Sequence, residues 1–81
     1  MYYTYIIESI TKPGIYYRGH TGNLKQRLEE HNSGKCKSTE KKRPWRIKTY
    51  VAFDTIDKAQ QFEKYLKSGS GHAFAKRHFG I

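Results

Sequence analysis

What this chain lacks narrows the reading first. Its one cysteine, Cys36, cannot close an internal disulfide, and no CxxC pair or Cys/His cluster stands at zinc-ligand spacing. A disulfide scaffold and a structural zinc are therefore not expected, and the thiol usage fits a reducing cytosol. No apolar run approaches the roughly 18 residues of a membrane span, and no basic leader precedes an apolar stretch. A soluble, cytoplasmic protein with no membrane partner is expected. Acids are scarce as well: seven Asp and Glu face sixteen Lys and Arg, a formal net charge of +9, and none follows Glu63. Such a balance favours polyanions, nucleic acid before an anionic membrane or an acidic protein.

The 81 residues make one small domain, 1–81, with no internal repeat and no linker. A chain this short buries only about 60% of the surface it exposes when unfolded, so its core is expected to be thin. Large rings supply much of the apolar area instead.

Tyrosine is what the chain has in abundance. Five of its seven tyrosines, Tyr2, Tyr3, Tyr5, Tyr16 and Tyr17, lie in the first seventeen residues, in two β-prone runs around Lys12-Pro13-Gly14. This predicts an antiparallel hairpin. Placing Tyr5 opposite Tyr17, Tyr3 opposite Gly19 and Ile7 opposite Ile15 puts the odd-numbered residues on one face. Asn23, with Gln26 at the capping-box position, and the stop signal Asn32 to Gly34 frame a helix of about 24 to 32. Residues 33 to 44 read as an exposed basic loop, and 45 to 53 as a third strand. A second helix, capped by Thr55 or Asp57, is expected to about Lys67, with a short last helix over 73 to 78. The fold class is α/β in the α+β sense: a small three-stranded antiparallel sheet flanked by helices, in the order β-β-α-β-α-α.

Five positions stand out for chemistry. Glu63 falls between Ala59 and Leu66 on the apolar stripe of the second helix, which points an acid at the core edge. A carboxylate there reaches water, pairs with a cation such as Arg27 or a lysine, or binds a metal. Arg27 and His31 lie one turn apart beside Leu24 and Leu28. An arginine so placed either snorkels over the core edge or sets its planar fork on a phosphate. Tyr2, Tyr3 and Tyr16 are simplest as scaffold. Tyr5 and Tyr17 differ because Gly19 leaves a gap on their face, where a ligand can approach.

In this order the residues resemble the GIY-YIG nuclease superfamily over nearly the whole chain. Tyr3-Thr4-Tyr5 is similar to its first motif and Tyr17-Arg18-Gly19, followed by His20-Thr21, to its second. The helix carrying Arg27 and His31, and Glu63 within Ala59-Gln60-Gln61-Phe62-Glu63, match its later landmarks. The literal Gly14-Ile15-Tyr16 abuts Tyr17 and leaves no room for a strand, so it is set aside. Tyr3 and Arg18 replace the usual glycine and isoleucine. The phosphate-contacting Asn found near the C-terminus of many members has no counterpart after Asn32, where Lys67, His72 or Lys76 would serve. The pattern most resembles small single-domain members related to the catalytic module of the excision-repair nuclease.

The resemblance implies a metal-dependent endonuclease acting on DNA rather than RNA, directed by substrate structure or by a partner protein. Its implied catalytic set is Tyr5, Tyr17, Arg27, His31 and Glu63, with Glu63 holding one Mg²⁺ or Mn²⁺ ion. A single carboxylate suits a hard cation that keeps most of its waters. Arg27 would neutralise transition-state charge, and Tyr17 or Tyr5 would be general base. A phenol of ordinary pKa near 10 is a poor base, so neighbouring cations must favour its ionised form. Gly19, Lys35, Lys37, Lys41, Lys42, Arg43, Arg46, Lys67 and Lys76 form the expected nucleic-acid-binding set, mostly tracking phosphates without reading sequence. Trp45 is read as a core residue or as a platform for an unpaired base. A non-catalytic nucleic-acid-binding module on the same scaffold explains charge and loop equally well, but not an inward Glu63.

Overall fold

The computed structural model describes all 81 residues. Three strands form one antiparallel sheet in the order β2-β1-β3, with β1 spanning Tyr2–Ser9, β2 Tyr16–Thr21 and β3 Trp45–Phe53. Helix α1 (Leu24–Ser33) covers one face, and α2 (Ile56–Leu66) with α3 (Gly69–Phe79) covers the other. The element order and sheet match the sequence reading. No helix is long and apolar enough to cross a membrane.

Being central, β1 is buried on both faces from Thr4 to Ser9, which is why its aromatic and β-branched run hardly alternates with polar residues. Tyr5 and Ile7 join Trp45 in one apolar cluster, against which Leu24 and Leu28 of α1 pack with Tyr17 and Ile47. Ile6 joins Leu66 and Ala75 in the other, beneath Phe62, Phe74 and Phe79. Thr4 faces the second layer and donates its hydroxyl to the Ala59 carbonyl at 2.6 Å.

The hairpin register differs from expectation by two residues: Tyr5 pairs with Gly19, and Ile7 with Tyr17. The cause lies in the connection, which folds on itself. The Glu8 carboxylate accepts the Gly14 amide at 3.1 Å, the Ser9 hydroxyl accepts the Lys12 amide at 3.1 Å, and Gly14 takes a φ of 93°. Because strand side chains alternate with period two, an even slip leaves every residue on its predicted face.

Asn23 caps α1 through the Gln26 amide at 3.0 Å, and Thr55 caps α2 through the Lys58 amide. The last helix begins four residues earlier than predicted. Gly69 and Gly71 resemble a turn, yet the Ser68 hydroxyl accepts the Gly71 amide as N-cap, and a side chain at residue 71 would collide with the Tyr65 carbonyl. The basic loop is more tightly held than expected. It contains a 3₁₀ turn at Glu40–Lys42 and buries Thr39; the Lys42 carbonyl accepts the Ser9 hydroxyl at 2.6 Å. Trp45 is core, 3% exposed, with its indole N–H on the Thr39 carbonyl, so it offers no face to a base.

Candidate active site

The α1 face carries a buried hydrogen-bonded line. Tyr5, 2% exposed, places its hydroxyl 2.8 Å from Nε2 of His31, whose Nδ1 lies 2.7 Å from Oγ1 of Thr39. The Thr39 hydroxyl donates its one proton to the Cys36 carbonyl, so it accepts from His31. That assigns the proton to Nδ1 and leaves Nε2 to accept from Tyr5. Nε of Arg27 in turn donates to the Tyr5 oxygen at 3.4 Å, while Nη1 holds Glu30 at 2.9 Å. The Tyr5 oxygen thus has one donor and one acceptor.

The electrostatics agree with this assignment. Burial, with a smaller push from Arg27, lowers the His31 pKa and favours the neutral ring. Burial also pushes the Tyr5 phenol up to about 12, despite the opposing pull of Arg27. Tyr5 is therefore a neutral donor here and a poor base. Tyr17 is half-buried with its ring 5.2 Å from that of His31, and its hydroxyl makes no hydrogen bond within the chain.

Gly19 has a different use from the one expected. A Cβ built there would lie 2.5 Å from the Tyr5 oxygen, so the missing side chain is the slot that admits the Tyr5 ring rather than an opening for a ligand. Only glycine lets β2 pass so close.

Glu63 sits apart from this line. His20 pairs across the sheet with Thr4, which faces α2, whereas Tyr17 pairs with Ile7, which faces α1. Glu63 accepts from Nδ1 of His20 at 2.6 Å and from Nζ of Lys67 at 2.7 Å. Tyr5, Tyr17, Arg27 and His31 are brought together, then, while Glu63 lies across the edge strand β2. Its cation partner is Lys67 rather than Arg27. Partial burial raises the Glu63 pKa, but the bonds from Lys67 and His20 outweigh it and leave the carboxyl below its usual range. No three His, Cys, Asp or Glu side chains converge as a metal cage. One carboxylate at a partly open position does fit a hard cation that keeps its waters, the exposed Lys67 ammonium being free to swing aside.

Of the expected nucleic-acid-binding residues, Lys35, Lys37, Lys41, Arg43 and Lys76 are exposed, and Lys42 is half-buried. Arg46 is tied to the buried Glu8 and Lys67 to Glu63. The basic loop and the acid-free α3 lie on opposite sides of the sheet, because Thr39 anchors the loop to α1 whereas α3 packs on the other face. They do not form one surface. Two partners escaped the sequence reading. Thr39 was hidden in a polar loop with no periodicity. His20 was legible in principle, since one residue after Gly19 it must face the layer that holds Glu63. Beside it Arg18, on that same face, keeps a buried Nε with no partner.

Residues 1–77 match the family described as the GIY-YIG catalytic domain. The chain is 35% identical to the structure-specific endonuclease subunit slx1 of Talaromyces marneffei, over 98% of its own length but 21% of that protein's. It is 36% identical to a UPF0213 protein of Streptococcus pyogenes serotype M3, over 80% of this chain and 70% of the relative. A UPF0213 protein of Halalkalibacterium halodurans is 34% identical over 82% of this chain and 69% of the relative. The chain thus spans about a fifth of the fungal protein's length and over two-thirds of the bacterial ones.

Proposed function

This chain belongs to the GIY-YIG family, whose catalytic domain matches residues 1–77, and on that premise we propose that it is a metal-dependent endonuclease hydrolysing phosphodiester bonds in DNA. The observation that carries the reading is the buried Tyr5 phenol held between His31 and Arg27. A scaffold has no need to place a neutral imidazole, a guanidinium and two phenols around one point, and burying such groups costs free energy unless each is paired.

In this reading each side chain has a distinct task. Arg27, kept charged by Glu30 and Tyr5, faces the phosphoryl oxygens as negative charge builds on them. Tyr17, whose hydroxyl is uncommitted, acts as the phenolate and takes the proton of the attacking water, becoming the neutral phenol. Tyr5 and His31 hold the direction of Arg27 and of the Tyr17 ring. Glu63 would hold Mg²⁺ or Mn²⁺, which when bound supplies Lewis-acid stabilisation at the scissile phosphate. Because β2 is the edge strand, a phosphate running along its free edge reaches the residues of both faces. Lys35, Lys37, Lys41 and Arg43 track the backbone nearby without reading bases. The fungal relative's description as a structure-specific endonuclease subunit supports selection by DNA shape and delivery by a partner protein. A lone free thiol, Cys36, agrees with a reducing cytosol.

The grip of Lys67 and His20 on Glu63 favours one second reading, a module that binds DNA without cutting it. A nicking assay with Mg²⁺ or Mn²⁺ on branched, flapped and unpaired DNA, run beside Glu63→Gln, separates the two. We expect Glu63→Gln to slow nicking by about a hundred- to a thousandfold while leaving DNA affinity unchanged. Equal loss of binding and cleavage would make Glu63 a structural ion pair.

A further inference from the structure

The layer opposite α1 carries a feature that the cleavage site does not use. Phe53, Phe62, Tyr65, Phe74 and His78 form a continuous run of rings across β3, α2 and α3, with Phe62, Tyr65 and Phe74 in mutual contact. Centroids lie 5.6 Å apart from Phe53 to Phe62, 6.1 Å from Phe62 to Tyr65, 5.9 Å from Tyr65 to Phe74 and 4.6 Å from Phe74 to His78. Only part of this line is needed as core. Ile6, Leu66 and Ala75 are the buried centre of the layer, whereas Tyr65 remains 39% exposed.

Two open depressions flank Tyr65 and share it as a wall. One, of about 340 Å³, is lined by Phe53, Phe62 and Tyr65 with Lys58 and Gln61. The other, of about 450 Å³, is lined by Tyr65 and Phe74 with Ser70, Arg77 and His78. Each lies within the size range of small-ligand clefts. A cation stands in each depression, and no carboxylate lines either.

The position of Tyr65 is built rather than incidental. Its carbonyl accepts both the amide and the hydroxyl of Ser68, at 2.9 and 2.6 Å, and Gly71 presses so close to it that no side chain fits there. The α2–α3 corner is thereby locked, and the ring lies nearly parallel to Phe62, at 24°, with its hydroxyl donating to the Ser70 carbonyl at 3.4 Å.

We propose that this aromatic line is a binding platform for an unpaired nucleic-acid strand, separate from the cleavage site, with bases seated beside Tyr65 and phosphates met by Lys58 and Arg77. Charge selects the occupant. A protein partner with an apolar face would meet cations within the platform, whereas a single strand brings flat apolar rings and anionic links at alternating intervals. Every base has a π-face, so such a platform holds a strand without reading its sequence. The surface stands whether or not the chain cuts.

The test is fluorescence anisotropy of a labelled oligothymidylate and of a duplex of equal length, without divalent metal. Tyr65→Ala is expected to weaken single-strand binding at least about fivefold and leave duplex binding unchanged, with Tyr65→Phe restoring it. Arg77→Gln, at an exposed position, is expected to reduce the slope of log K against log salt for the single strand by about 0.7. It serves as the measure should Tyr65→Ala fail to fold. Parallel loss of single-strand and duplex binding, or an unchanged salt slope in Arg77→Gln, would overturn the proposal. So would a Tyr65→Ala chain that binds the oligonucleotide normally but sediments with a smaller mass, which would assign the surface to a second copy. A wild-type chain that binds but never nicks DNA would refute the endonuclease reading alone.

Discussion

The two faces of the sheet hold polar groups in opposite ways. On the α1 face, Tyr5, His31 and Thr39 are fully packed and joined in one line, with each hydrogen's direction fixed by its neighbour. On the α2 face, Glu63 keeps 19% of its side chain exposed and is held by a half-exposed lysine and a histidine. The dry line resists change, since losing any member strands a buried polar group. The wetter cluster can trade one cation for another at little cost, because exposed pairs are worth under about 1 kcal/mol. The α1 face is thus the rigid one and the Glu63 cluster the labile one.

The largest expected effect tests whether the free phenol belongs with the dry face only by position. Tyr17→Phe is expected to slow single-turnover cleavage by about a hundred- to ten-thousandfold while leaving the urea midpoint near wild type, because its hydroxyl has no partner to strand. Normal cleavage by this variant would take Tyr17 out of the chemistry.

Thr39→Val keeps the shape of the side chain but removes the acceptor for Nδ1 of His31. It is expected to cost about 1–3 kcal/mol in urea unfolding, and to move the pH profile of cleavage by freeing the imidazole tautomer. A comparable loss in Lys67→Met would erase the contrast between the faces.

Acid provides the smallest and most general test. The folded pKa of His31 lies below its unfolded value of about 6.5, so the unfolded chain binds more protons. Stability is therefore full above that value and declines as pH falls below it, until the folded state protonates too. Glu63, with a lowered pKa, contributes stability above its ordinary value of 4.5 and loses it only below. Thermal melts should show His31→Gln flattening the upper window and Glu63→Gln the lower. A single shared window would mean that the two faces titrate together.

Much of this was legible in the chain itself. The element order follows from local signals: β-prone aromatics around a Pro-Gly turn, Asn23 and Thr55 as caps, and alternation from Trp45 to Phe53. The side on which each residue of β1 and β2 faces was also determined, since period two survives an even slip in register. So was the inward stripe of α1, which carries Arg27 and His31 to the sheet beside two leucines.

Tertiary structure alone decided the rest. The hairpin register depended on how Glu8 and Ser9 bind the connecting loop, contacts that no periodicity encodes. The start of α3 depended on Ser68 and on a backbone approach only Gly71 permits, so its glycines misled. The use of Gly19 required knowing which ring crosses it. Above all, the separation of Glu63 from Arg27 is a property of layering: sequence places each on an inward helix face, but only the folded sheet determines that the two helices pack on opposite sides of it.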